Sequence, residues 1–226
     1  MNRFLKRAWA EIDLDALEHN YNEIKKLAKG KDILAVVKAN AYGHDDKAVC
    51  LKLQELGVKY YGVSNLWEGE KLRQHGITGT ILTFGYTDED YFDELLEYGI
   101  TQTAGSVQYA KQLSDYAVSK GVKLPVHIKV NTGMTRVGID SQQEMLDIIA
   151  MPGLDCKAAY THFAAADSLD PSDVEYTDRQ QEKLMKIAKD KGLLIHSQNS
   201  GGIIYHGDFG GDIVRAGVIL YGHYPN

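Results

Sequence analysis

Two hydrophobic rhythms alternate along this chain. Stretches with a period near 3.6 residues lead through a glycine into short apolar runs. Leu14, Leu17, Tyr21, Ile24 and Ala28 share one helical face, with Glu18, Asn22, Lys25 and Lys29 opposite. That spacing predicts an amphipathic helix, capped by Asp13 or Asp15 and ended by Gly30. Just before it, Trp9-Ala10-Glu11-Ile12-Asp13-Leu14 alternates like a short strand. The phrase of helix, glycine and apolar run recurs at Gly57, Gly76, Gly99, Gly121 and Gly192. Each glycine suits the left-handed position that ends a helix. The apolar runs predict strands over residues 33–38, 60–63, 80–84, 100–103, 126–130, 156–161 and 194–197, with a last one inside 213–220. Ser141-Gln142-Gln143-Glu144 is a capping box opening one helix, and a long helix charged on its outer side spans about 174–191.

Strands that alternate with helices build parallel βαβ units, and eight such units close into a (β/α)8 or TIM barrel. At 226 residues the chain has the length of one barrel, so residues 1–226 read as a single domain. The extra segment at about 8–30 is expected to supply a short strand and a helix. Little chain remains after the eighth strand, so that helix is expected to stand in for the eighth outer one. No linker, low-complexity segment or second domain interrupts the pattern.

Composition adds boundaries. Hydrophobic residues are 44% and charged residues 25%, as in soluble globular proteins. A net charge of −6 argues against nucleic acid as the main partner. Cys50 and Cys156 have no metal-ligand spacing and read as thiols of a reducing compartment. Residues 1–7 are basic but lead into no apolar core, so no signal peptide is expected. No window is long and apolar enough to span a bilayer, and the two thiols fit a cytoplasmic location. Trp9 and Trp67 read as packing residues.

In a barrel the chemistry gathers at the carboxyl ends of the strands. Those ends carry Lys38 with Tyr42, then Lys129 with Arg136, then His162, then Asn199-Ser200-Gly201-Gly202, then Arg215-Ala216-Gly217. A partly desolvated lysine can shed its proton and condense with a carbonyl. The hydroxyl and small residues of 199–202, with the Gly217 and Val218 amides, can face an anion. Arg136 and Arg215 can pair with an anionic ligand, and His162 can carry a proton or orient a neighbour. The other seven histidines, His44 and His206 among them, have no convergent partners by sequence. Each signal has a bland reading: a snorkelling lysine, a plain glycine turn, surface ion pairs. Together, a Schiff-base lysine, an anion cradle and polar groups around one cavity suit pyridoxal phosphate.

These residues also resemble a known family. Residues 35–44 (AVVKANAYGH) are similar to the lysine motif of bacterial alanine racemases, and 8–14 (AWAEIDL) to their opening. Residues 129–138 (KVNTGMTRVG), 162–167 (HFAAAD), 199–202 (NSGG) and 215–222 (RAGVILYG) match in order across the chain. Membrane-linked serine racemases share these motifs, so the cytoplasmic domain of such a membrane-anchored protein is the alternative location. The resemblance implies that Lys38 holds the cofactor as a Schiff base and serves as the base on the D face. Tyr42, Ser200, Gly217 and Val218 would bind the phosphate. Arg215 would contact the pyridine nitrogen and Arg136 would lie near the phenolate. The lysine matching Lys129 is carbamylated in many relatives, and His162 and Asn199 would support the site. The implied reaction interconverts L- and D-alanine, a cell-wall precursor, or acts on serine, in a homodimeric parent enzyme.

The sequence departs from the family at Asn131, usually aspartate, and at Asp45, often glycine; both look tolerable. The family continues into a C-terminal β domain that supplies the L-face tyrosine base, which this stretch does not contain. The expectation is therefore a cofactor-binding half that racemises poorly alone. A non-catalytic pyridoxal-phosphate carrier of the single-barrel type is the alternative. Barrel decarboxylases and D-threonine aldolases share the lysine, but Arg215 stands where such decarboxylases need a carboxylate.

Overall fold

The computed structural model describes residues 8–225; the basic start at residues 1–7 lies outside them. Eight parallel strands run β1 (Asp32–Val36), β2 (Tyr60–Val63), β3 (Thr80–Thr83), β4 (Thr101–Ala104), β5 (Leu124–Lys129), β6 (Leu154–Tyr160), β7 (Leu194–His196) and β8 (Ile213–Ala216). They pair in the order β7-β6-β5-β4-β3-β2-β1-β8. Two backbone bonds close the seam: Asp212 N–H to the Ile195 carbonyl at 2.8 Å, and Arg215 N–H to the Gln198 carbonyl at 2.9 Å. The result is a (β/α)8 TIM barrel, as the alternation of periods predicts.

The outer layer follows the same order. A single tight turn, α2 (Lys38–Tyr42), precedes α3 (Asp46–Glu55); then come α4 (Leu66–Gln74), α5 (Phe92–Glu97), α6 (Val107–Ser119), α7 (Gln142–Ile149), α8 (Pro171–Ala188) and α9 (Ser200–Tyr205). The first helix, α1 (Leu14–Leu27), packs against α3, α9 and the 3-10 turn that follows β8. Asn20 Nδ2 donates to the Leu220 carbonyl at 3.0 Å. So α1 occupies the place of an eighth outer helix, burying Leu17, Tyr21 and Ile24 there. The capping box is present at Ser141 and Glu144.

Three expectations need correction. Trp9 to Asp13 form no strand; Asp13 instead caps α1, its carboxylate accepting from Asp15 N–H at 2.9 Å and Ala16 N–H at 3.0 Å. An alternating segment becomes a strand only where a sheet edge offers partners, and the closed barrel leaves none. Trp9 and Trp67 are not packing residues, being 65% and 56% exposed. Trp67 lies at the start of α4, on the barrel mouth, edge-on to Tyr91 at 5.0 Å. The long helix begins earlier than the charge pattern suggests, at Pro171, because proline suits the first helical position.

The core has two layers. Most apolar side chains fill the shell between strands and helices. The lumen is divided. Leu34, Val36, Leu82 and Ile213, with Tyr60 and Phe84, make one side apolar. His127, Tyr160, His196 and Arg215 make the other side polar and fully buried. Gly62 is required between them and the wall, since a Cβ there would lie 2.6 Å from the Phe84 ring. Both cysteines are free thiols, and burial pushes the Cys156 thiol up to about 11. Among the described residues no helix is long and apolar enough to cross a membrane, and no cluster of side chains forms a metal site.

Candidate active site

A cavity of about 570 Å³ opens at the carboxyl ends of the strands. All ten residues singled out by sequence line it: Lys38, Tyr42, Lys129, Arg136, His162, Asn199, Ser200, Arg215, Gly217 and Val218.

Lys38 stands two residues beyond β1 and opens α2. That turn is left-handed: Ala39, Asn40, Ala41 and Tyr42 have φ of 52, 56, 53 and 54°. Left-handed backbone costs a residue with a side chain roughly 1–2 kcal/mol, so four in a row store considerable strain. Several bonds hold it. Ala41 N–H reaches the Val37 carbonyl at 2.9 Å and Gly43 N–H the Ala39 carbonyl at 3.1 Å. Asn40 Oδ1 accepts from Asp46 N–H at 3.1 Å. The Glu68 carboxylate accepts from Ala39 N–H and Ser64 N–H, each at 2.7 Å. The turn carries Tyr42 back over the mouth, where the Lys38 amine lies 5.9 Å from its ring. Tyr42 packs on Tyr221, whose hydroxyl donates to the Val36 carbonyl at 3.0 Å. Burial pushes the Tyr42 hydroxyl above its ordinary value, so it stays a donor. Asp45, with φ of 67°, sits where glycine is at ease; it offsets the cost by capping α3 at Ala48 N–H.

Across the mouth, Ser200 Oγ accepts from Gly217 N–H at 3.1 Å. A Cβ on Gly217 would lie 3.4 Å from the Tyr42 hydroxyl and 3.5 Å from Ser200 Oγ. Two hydroxyls thus meet beside Gly217, whose amide is already bonded to Ser200, and hydroxyl donors grouped at a cavity wall can serve an oxyanion. Val218 begins the 3-10 turn on the same wall. Asn199 is committed elsewhere: its carbonyl oxygen caps α9 at Gly202 N–H, 3.0 Å away. It shapes the cradle from behind.

Arg215 is 3% exposed, with no carboxylate beside it. Its guanidinium donates to the carbonyls of His196 (2.8 Å), Thr161 (2.6 Å) and Ser197 (2.9 Å), and to His196 Nδ1 at 3.2 Å. Burial lowers it to about 10, which leaves it protonated at neutral pH. His162 lies 3.5 Å from the same guanidinium; burial and the nearby cations push it down to about 3. Lys129 lies over the Tyr160 ring at 5.1 Å, and burial, then Arg215 and Arg136, lower its amine to about 6. Arg136 sits exposed at the rim. Among the described residues lining the cavity, Asp167 is the one carboxylate.

Three residues escaped the sequence reading. His196 stacks on Tyr160 at 4.7 Å and meets His127, Nε2 to Nδ1, at 3.1 Å. Because a guanidinium only donates, His196 Nδ1 must accept and its Nε2 must carry the proton toward His127. So His127 and His196 do have convergent partners. The signal was available in part: His127 and Lys129 are two residues apart on β5 and so share a face. Only the barrel brings β7 and β8 to that face. Glu68, on the outer helix α4, gave no signal at all.

Against known proteins, residues 12–225 match a family described as "Alanine racemase, N-terminal domain". An alanine racemase of Clostridium perfringens is 39% identical over 236 aligned residues, covering 100% of this chain and 60% of that protein. The solved alanine racemase of Clostridium difficile 630 superposes with a TM-score of 0.91 at 36% identity, covering 99% of this chain and 60% of that one. A histidine racemase from Leuconostoc mesenteroides superposes with a TM-score of 0.86 at 28% identity, covering 94% and 59%. The chain spans about 60% of the length of the relatives it matches. A barrel, a strand-end lysine on a left-handed turn and a matching profile over nearly every residue agree: this chain belongs to the alanine racemase family and carries its N-terminal domain.

Proposed function

We propose that this chain is the single cofactor-binding domain of a pyridoxal-phosphate-dependent amino-acid racemase acting on alanine. One observation carries the reading: a lysine, a buried arginine and an oxyanion cradle converge on one cavity of about 570 Å³. The residues fit the cofactor. The Tyr42 and Ser200 hydroxyls, both beside Gly217 on the cavity wall, suit its phosphate. Lys38 suits its aldehyde, and the cation of Arg215 suits its ring nitrogen. When bound, pyridoxal phosphate supplies an electron sink for a carbanion at the substrate Cα.

The chain's own groups set the rest. Lys38 moves a proton at Cα on one face. Arg215 is held by three carbonyls and keeps its proton, so it offers the ring nitrogen a hydrogen bond and no proton transfer. With the cofactor bound, an arginine there would limit how far charge spreads from Cα and would favour return of the proton over side reactions. Lys129, its amine lowered to about 6, is neutral enough at pH 7 to take up carbon dioxide as a carbamate. The N–C bond would form as the amine gives up a proton to solvent, and the resulting anion would be opposite in charge to Arg215 and Arg136, the two cations that act on this amine. Two-base racemisation needs a second base on the opposite face of the substrate. The parent enzyme would supply it across a homodimer.

The test is a titration with pyridoxal phosphate followed by Schiff-base absorbance. The band should form with the wild-type chain and vanish in Lys38→Ala. A band that survives in Lys38→Ala would overturn the assignment. Racemisation of L-alanine should be weak with this chain alone and rise when the remaining part of the family's length is supplied.

A further inference from the structure

We infer that Glu68 is a positioning residue for Lys38 and Tyr42: its single carboxylate clasps the left-handed turn and fixes both at once. The proposal rests on the reading of Lys38 and Tyr42 given above. Glu68 lies in the first turn of α4, half-buried, outside the cavity lining. Its own N–H is satisfied by Asn65 Oδ1 at 3.1 Å, which leaves the carboxylate free to reach away from the helix.

Each oxygen has one partner. Oε1 takes Ala39 N–H and Oε2 takes Ser64 N–H, both at 2.7 Å. Such distances are those of charge-assisted bonds. Ala39 N–H belongs to the peptide that joins Lys38 to the turn. Holding that peptide plane sets ψ of Lys38 and so the direction in which its side chain leaves the backbone. Ser64 directly follows β2 and lines the cavity. The carboxylate therefore ties the ends of β1 and β2 together at the level of the amine.

The turn needs such a tie. Residues 39–42 all adopt a conformation that non-glycine residues disfavour, and Ala39 N–H is its first donor, with no partner inside the turn. One helical turn further along α4, Lys71 Nζ reaches Asp46 Oδ2 at 2.8 Å and Asn40 Oδ1 at 3.5 Å. So α4 grips the turn at Ala39 and beyond Asn40. Tyr42 ends the turn. If the clasp opens and the backbone relaxes toward right-handed or extended conformations, Tyr42 leaves the cradle and Lys38 loses its aim together.

The experiment uses the full chain with Glu68→Ala, Glu68→Gln and Glu68→Ala combined with Ala39→Gly and Ala41→Gly. Hydrogen exchange should quicken at Ala39 and Ser64 in Glu68→Ala while the β5 and β6 amides keep their protection. Pyridoxal phosphate affinity should fall about tenfold or more in Glu68→Ala and less in Glu68→Gln, which keeps one acceptor. The glycine substitutions should restore part of that loss, because glycine adopts the left-handed conformation freely. A role confined to folding would show no such rescue and would lower protection everywhere. Unchanged exchange and affinity in Glu68→Ala, or loss without rescue, would overturn the proposal. A wild-type chain without the Schiff-base band would instead sink the cofactor reading, and exchange at Ala39 would still decide the clasp.

Discussion

At the scale of single residues, the site depends on groups held in states they would not adopt in water. Arg215 is a buried cation whose neighbours are carbonyls and neutral rings. Replacing it by alanine leaves those acceptors without a donor, so Arg215→Ala should lose roughly 3 kcal/mol or more of stability, read from urea unfolding. Ser200 acts more locally. Its hydroxyl meets Gly217 N–H at the cradle and is nearly buried. Ser200→Ala should leave the fold intact and weaken pyridoxal phosphate binding about tenfold, near 1.4 kcal/mol, by titration. Lys129 differs from both: burial strips its charge while the same burial leaves Arg215 protonated. The difference follows from their chemistry, since a guanidinium spreads its charge over five donors and an ammonium does not.

At the scale of elements, the helices do two jobs with the same caps. Asp13, Asn65, Ser106 and Ser141 each satisfy a first-turn N–H and fix where a helix begins on the barrel wall. For α1 the cap also settles a competition, because the alternating segment before it could otherwise extend. Asp13→Ala should cost about 1 kcal/mol in urea unfolding, and Ser141→Ala a similar amount. Neither should alter cofactor affinity, since both caps lie away from the cavity lining. The α2 turn is the opposite case. Its strain is tolerable only because α3 offers Asn40 a donor, Asp46 N–H, and α4 offers Ala39 N–H an acceptor, the Glu68 carboxylate.

At the scale of the whole molecule, the polar half of the lumen sets a pH dependence. Burial holds His127 and His162 down to about 3, and His196 well below its ordinary value. Unfolded histidines titrate near ~6.5. Below that pH the unfolded chain binds protons that the folded one refuses, so stability is lost as pH falls from about 6.5 toward 3. Each histidine contributes up to about 1.4 kcal/mol per pH unit in that window. Lys129 adds the same sign higher up: unfolded it titrates near ~10.4, folded at about 6. Stability should therefore rise with pH from about 3 to about 8; above about 8.5, where an unfolded thiol ionises, the raised Cys156 thiol opposes the Lys129 slope. Urea midpoints across that range check it, and Lys129→Met should flatten the upper slope.

The sequence by itself determined the strand and helix rhythm, the eight units and the ten residues around the mouth. Those follow from local periodicity and from the rule that strand ends face one way, and neither needs coordinates. Tertiary structure decided the rest. It made the turn after Lys38 left-handed, since backbone hand there is set by a donor on α3, Asp46 N–H, and an acceptor on α4, the Glu68 carboxylate. It turned the strand-like opening into a helix cap, because a closed sheet has no edge to pair with. It joined His127, His196 and Arg215, which stand on three strands that only closure of the barrel brings face to face.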